Sequence, residues 1–167
     1  MEENSWKVIY VGARQEKKVA KKLSELGIEN YLPLAKRLSQ WSDRKKWVEF
    51  PMFNGYLFVR PTPKEREIVL HQHGVINYLR FEQADAIVKK HEIEIIQIIE
   101  KEGYYAETIF TSDDFEVGDK VLVTEGPLKG QVVDLLRKNN EKMFLIAFDS
   151  IGQSIKLNIP MEFLARS

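Results

Sequence analysis

The chain has 167 residues, 44% hydrophobic and 30% charged, which suits one domain or two small ones. It contains no Cys, which excludes a disulfide scaffold and a thiolate metal site and fits a reducing compartment. Its 25 basic and 25 acidic side chains cancel overall but not locally: residues 1–60 hold 12 basic against 7 acidic, residues 103–167 hold 7 against 10, so a polyanion is drawn to the first part.

The start, "MEENSWKVIYVG", lacks a basic segment followed by a long apolar stretch, and no apolar run approaches the roughly 20 residues of a membrane span. A cytoplasmic protein without membrane attachment is expected. "WKVIYV" has strand character, and alternation puts Trp6, Val8 and Tyr10 on one face and Ile9 and Val11 on the other. "RQEKKVAKKLSEL" reads as a helix. Val19, Leu23 and Leu26 with Ala20 form its apolar stripe, Lys17, Lys18, Lys21 and Lys22 fall on the opposite arc, and Gly27 can end it. The stripe faces the sheet. The lysines are either a solubilising face or contacts to phosphates that do not read sequence.

"YLPLAKR" and "GYLFVR" are extended, and between them "AKRLSQWSDRKKWVEF" reads as a hairpin with a long tip. There Lys36, Arg37, Arg44, Lys45 and Lys46 interleave with Trp41 and Trp47, as in segments that hold a backbone while an aromatic stacks on a base. For Trp47 packing beneath the hairpin is the expectation. In "VEFPMFNGYLFVR" alternation separates Tyr56 and Phe58 from Leu57 and Val59. With helices on one side of the sheet, the aliphatic pair is core and the aromatic pair lies on the open face, where "VINYLRF" adds Phe81. The linker or the C-terminal region covering that face is the alternative.

"KEREIVLHQH" and "KKHEIEIIQIIEKE" read as helices, and "VINYLRF" as a strand. The order βαββαβ plus a helix predicts an α+β, ferredoxin-like domain over residues 1–102. "GYYAETIFTSDD" has no clear period and places a linker at 103–114. Residues 115–167 alternate short β-rich runs with Gly, Pro and Asn turns, the pattern of a small all-β barrel. Val121, Val123, Val132 and Leu135 can pack it, and Gly126 and Gly130 allow a tight turn around Pro127. His71 and His73 lack the further ligands a metal needs, and no Walker loop, nucleophile elbow or dinucleotide fingerprint occurs. No metal, cofactor or catalysis is expected; the chain reads as a binding protein.

In order, "WKVIYVGARQEKKVAKKL", "FPMFNGYLFV", "GVINYLRF" and "FEVGDKVLVTEGPLKGQVVDLL" resemble the NusG family of transcription elongation factors across nearly the whole chain. "NGYLFVR" and "GVINYLRF" are similar to the specialised RfaH-like and UpxY-like antiterminators. The resemblance implies an NGN-type N-terminal domain and an SH3-like KOW barrel. It implies a monomeric factor that suppresses pausing or termination on particular long operons, with a housekeeping NusG or a KOW-type RNA-binding or ribosome-associated protein as alternatives. Tyr10, Tyr56, Phe58 and Phe81 match the positions that bind the RNA polymerase clamp region. Arg14, Lys18, Lys22 and His73 match the non-template DNA surface, to which Lys17 and Lys21 are added by their helix face. The segment that touches the opposite side of the channel in RfaH-like proteins falls at Glu65–Ile68, where "EREI" departs from it. Gly126, Pro127, Leu128, Lys129 and Gly130 match the KOW partner loop, facing a ribosomal protein or Rho, in a turn shorter than that of bacterial NusG. The β-rich runs favour the barrel over a helical alternative.

Overall fold

Alternation in "KVIYV" gives the first strand, β1 (Lys7–Val11), whose Ile9 and Val11 are buried on the helix side of a sheet. The computed structural model describes residues 5–41, 43–109, 116–138 and 141–165. The chain divides into two units, residues 1–93 and 94–167.

In the first unit β1 is followed by α1 (Glu16–Glu25), β2 (Asn30–Tyr31), β3 (Leu34–Trp41), β4 (Arg44–Pro51), β5 (Tyr56–Val59), α2 (Pro63–Leu70), β6 (Val75–Tyr78), β7 (Arg80–Phe81) and β8 (Ala84–Asp85). The main sheet has the order β2-β5-β1-β6 with every neighbouring pair antiparallel, the expected ferredoxin-like arrangement. Ile9 lies between Leu57 and Tyr78 in register. With Val11, Val59, Val69 of α2, and Val19 and Leu23 of α1, they build the core, where each buried aliphatic side chain is worth about 1.5–3 kcal/mol.

α1 ends as its sequence directs. Gly27 takes φ 76°, and the Ile28 N–H donates to the Leu23 carbonyl at 2.9 Å. Leu26, expected in the buried stripe, is exposed, because it is already the C-cap residue where the chain leaves the helix. β3 and β4 form a separate two-stranded ribbon that runs in register from Leu34↔Pro51 to Trp41↔Arg44, so its tip is short rather than long. β7 and β8 form a second small ribbon.

α3 (Lys90–Glu102) crosses the division between the units. β9 (Tyr105–Ile109), β10 (Glu116–Leu122), β11 (Val132–Lys138), β12 (Glu141–Phe148) and β13 (Gln153–Leu157) then form one antiparallel sheet in the order β10-β11-β12-β13-β9. A bridge between Val123 and Leu164 ties the segment after β10 to the chain end. The linker expected at 103–114 is corrected in its first half. The Asn158 N–H donates to the Tyr104 carbonyl at 2.9 Å, and β9 completes the sheet edge on β13; residues 110–114 lie outside the described residues. Val133, Leu136, Phe144, Ile146, Ile155 and Leu157 are buried, with Val123 and Leu135 of the expected set. Val132 is not core: it lies opposite Leu122, and both are exposed.

Candidate functional site

The aromatic side chains of the first sheet are placed by register. Tyr10 lies opposite Tyr56, Val8 opposite Phe58, and Tyr31 of β2 opposite Phe58 on the other side. All therefore share the face away from α1. The Tyr10 and Tyr56 rings meet edge to face at 5.0 Å, Phe53 stacks on Tyr56 at 6.5 Å and meets Phe58 edge-on at 5.8 Å, and Tyr31 stacks on Phe58 at 6.3 Å. The expected open pair Tyr56–Phe58 is corrected: Phe58 is 0% exposed, beneath Phe53 and Tyr31, whereas Tyr10, Tyr56 and Tyr31 remain half-buried. Phe58 is a floor and the tyrosines are the accessible part. Burial, reinforced by its hydrogen bond with Tyr56, pushes the Tyr10 hydroxyl up to about 12, so it stays protonated. Phe81 is 49% exposed but belongs to the β7–β8 ribbon, not to this ring cluster.

Lys17, Lys18, Lys21 and Lys22 are all exposed on α1, opposite buried Val19 and Leu23. The Gly12 N–H donates to the Gly74 carbonyl at 2.9 Å, and Gly74, at φ 94°, leaves room for Val19, whose Cγ2 would sit 3.0 Å from any Cβ there. This close approach brings exposed His73 and Arg14, itself at φ 63°, to the same end of α1. Glu16 is buried at the helix start and accepts the Gly55 N–H at 3.0 Å, which fixes the β4–β5 turn. A pocket of about 440 Å³ lies there, with Arg14 on its wall. The six residues expected to contact DNA are each exposed: the four lysines on α1, and Arg14 and His73 near its N-terminal end. His71 is exposed beside Glu67, and among the described residues no three His, Asp or Glu side chains cluster.

The segment Glu65–Ile68 lies in α2, where Glu65 and Arg66 are partly buried and held by local bonds while Glu67 and Ile68 are exposed. Thr62 and Glu65 form a capping box at the start of α2, the Thr62 N–H donating to Glu65 at 2.9 Å and the Glu65 N–H to the Thr62 hydroxyl at 3.3 Å. Arg66 turns inward and forks onto Asp85 at 2.8 and 3.0 Å, where Lys7 also donates at 2.9 Å. Its guanidinium lies 4.6 Å from the centre of the Tyr78 ring, whose hydroxyl donates to the Arg66 carbonyl at 2.9 Å. The Arg66 hydrogen bonds, then those of Lys7, hold the Asp85 carboxyl down at about 2. Burial keeps the Tyr78 hydroxyl well above the usual phenol range. Residues far apart in sequence form this network, and no local pattern announces it.

In the second unit the loop at 126–130 is a tight turn: the Lys129 N–H donates to the Gly126 carbonyl at 3.1 Å and the Gly130 N–H to the Val123 carbonyl at 2.8 Å. Gly126 has φ 84°, and a Cβ there would lie 2.8 Å from the Phe163 ring. Leu128 is 2% exposed, so it belongs to the core; Gly126, Pro127, Lys129 and Gly130 form the outer surface.

A ferredoxin-like unit with tyrosines on one sheet face and lysines on one helix, followed by a five-stranded unit, defines a two-unit fold of the NusG type. The structure of Thermotoga maritima NusG matches it with a TM-score of 0.58 at 18% identity, covering 96% of each chain. Two conformations of the MjSpt4:Spt5 complex also match, at 17% identity over 96% of this chain and 96% and 95% of those, but with TM-scores of 0.30 they carry no argument. The family model for NusG, the transcription termination factor nusG, matches residues 4–97, and the chain belongs to this family of transcription factors.

Proposed function

We propose that the chain acts during transcription elongation by binding the clamp region of RNA polymerase through the first unit, suppressing pausing or termination. The observation that carries this reading is the accessible Tyr10–Tyr56 pair, with Tyr31 beside it, on the sheet face opposite the helices. Phe58 supports the pair from below, and Phe81 offers a separate exposed contact. Arg14, Lys17, Lys18, Lys21, Lys22 and His73 face the non-template strand and contact phosphates.

The barrel expected over 115–167, together with β9 on its edge, recruits a ribosomal protein or Rho through the outer surface of the 126–130 turn. A specialised role on particular long operons, rather than a housekeeping one, rests on "NGYLFVR" and "GVINYLRF" and is tested by mapping factor and polymerase occupancy together across the genome. Among the described residues no helix is long and apolar enough to cross a membrane.

The test divides the chain after Glu102, which leaves β9 with its sheet. Residues 1–102 should bind polymerase and reduce pausing in a purified system, while residues 103–167 should not. A folded N-terminal fragment that fails to engage polymerase, or a barrel fragment that reduces pausing alone, would overturn the reading.

A further inference from the structure

The β3–β4 ribbon carries chemistry that neither the tyrosine face nor the α1 surface uses. Its unbroken register sorts the side chains by alternation, so Lys36, Leu38, Lys45, Trp47 and Glu49 share one face, with Leu38 directly opposite Trp47. The ribbon forms its own two-stranded sheet, and Trp47 does not pack beneath it as its sequence position suggests: it is 67% exposed, and Leu38 is 48% exposed. On the opposite face the Arg37 guanidinium lies 4.9 Å from the centre of the Phe50 ring. Lys36 and Lys45 share the face of Trp47, whereas Arg37, Arg44 and Lys46 lie on the other; all five are exposed, against two acids, Asp43 and Glu49. The side chain of Trp41 lies outside the described residues.

Three kinds of partner are distinguishable by this chemistry. A protein interface of ordinary size buries about 1,600 Å², far more than one Trp–Leu pair offers. A duplex already stacks its bases on one another, so an indole on an open strand face meets none of them. An unpaired strand offers both a free base for the indole and phosphates for the surrounding cations, and each such stack is worth about 1–3 kcal/mol. The Lys17 ammonium reaches the Glu49 carbonyl at 3.4 Å, so the lysine face of α1 adjoins the foot of the ribbon. Eight residues per strand extend that basic surface by about 26 Å.

We propose that the β3–β4 ribbon binds single-stranded nucleic acid, with Trp47 stacking on a base and the ribbon's cations contacting its phosphates. This stands independently of polymerase binding. The test measures fluorescence anisotropy of the full chain with oligothymidylate and oligouridylate of about 20 nucleotides, longer than one binding site, and with a duplex of equal length. Trp47→Ala should weaken binding to the single strands by about 5- to 150-fold and leave the duplex unaffected, while Trp47→Phe retains most of the affinity. The two single strands differ only in their sugar and base methyl, and the tighter one names the source. Unchanged single-strand affinity in Trp47→Ala, or an equal loss for single strand and duplex, would overturn the proposal. A second readout does not depend on the Ala variant folding: oligothymidylate should quench tryptophan emission of the unaltered chain, and Trp47→Phe should remove that quench. A quench that persists in Trp47→Phe, or its absence in the unaltered chain, would contradict the assignment.

Discussion

Asp85 joins β8 to β1 and α2 through Lys7 and Arg66, with Arg80 a further 3.8 Å away, and its side chain is only 9% exposed. Replacing it with Asn keeps the shape and removes the charge that these cations share. Its carboxyl is lowered from 3.8 to about 2 in the folded chain, and at about 1.36 kcal/mol per unit this corresponds to about 2 kcal/mol of folding stability at neutral pH. The sign follows from the depressed value. The contribution is fully present above the unfolded value and is lost as the pH falls from about 5 through 2. Asp85→Asn should therefore cost about 2 kcal/mol at pH 7 and about 1 kcal/mol at pH 3, the two proteins converging below that. Urea titration followed by tryptophan emission suits the question, because Trp6, Trp41 and Trp47 all lie in the first unit and report its unfolding alone. A cost that is the same at pH 7 and pH 3, or below about 0.5 kcal/mol at pH 7, would refute the role given to the network.

Phe58→Ala should destabilise the first unit by about 3–5 kcal/mol in the same titration, as for any large buried aromatic, since the ring is a floor rather than a contact. Changing Lys17, Lys18, Lys21 and Lys22 to Gln should weaken DNA binding about equally for all sequences and flatten its salt dependence by about 0.7–0.9 log units per lost contact; an unaltered slope in a salt titration returns α1 to a solubilising face. Gly126→Ala places a side chain at φ 84° against the Phe163 ring and should cost at least about 1–2 kcal/mol. Thermal melting by far-UV circular dichroism measures this in the second unit, which has no Trp.

Local periodicity carried most of the fold into the sequence. The helical spacing of α1 sorted Val19 and Leu23 from the four lysines, and alternation in β5 correctly sent Leu57 and Val59 to the core shared with Ile9. Alternation assigns a face, however, and not its exposure. Phe58 is on the expected face but is covered by Phe53 from the β4–β5 turn and by Tyr31 from β2, contacts between segments well separated along the chain. Phe53 stands in the aromatic stretch "VEFPMFNGYLFVR", while Tyr31 offers only a short extended "YLP" run. Trp47 fails in the opposite sense: it stands on a separate two-stranded ribbon and is largely exposed there. The Lys7–Asp85 bond spans 78 positions, and the edge pairing of β9 on β13 brings Thr108 opposite Ile155. Neither has a local period to betray it.

The most direct measurement is the affinity of RNA polymerase for the full chain carrying Tyr10→Ala and Tyr56→Ala together, read by biolayer interferometry against the unaltered chain. Both side chains are half-buried at the rim of the ring cluster, with Val8 and Phe58 retained beneath. Binding that lives on this face should weaken by about 2–4 kcal/mol, roughly 30- to 1,000-fold, as for paired interface aromatics, while the urea midpoint shows the first unit still folded. Affinity unchanged in a folded double variant would contradict the assignment of polymerase binding to the tyrosine face.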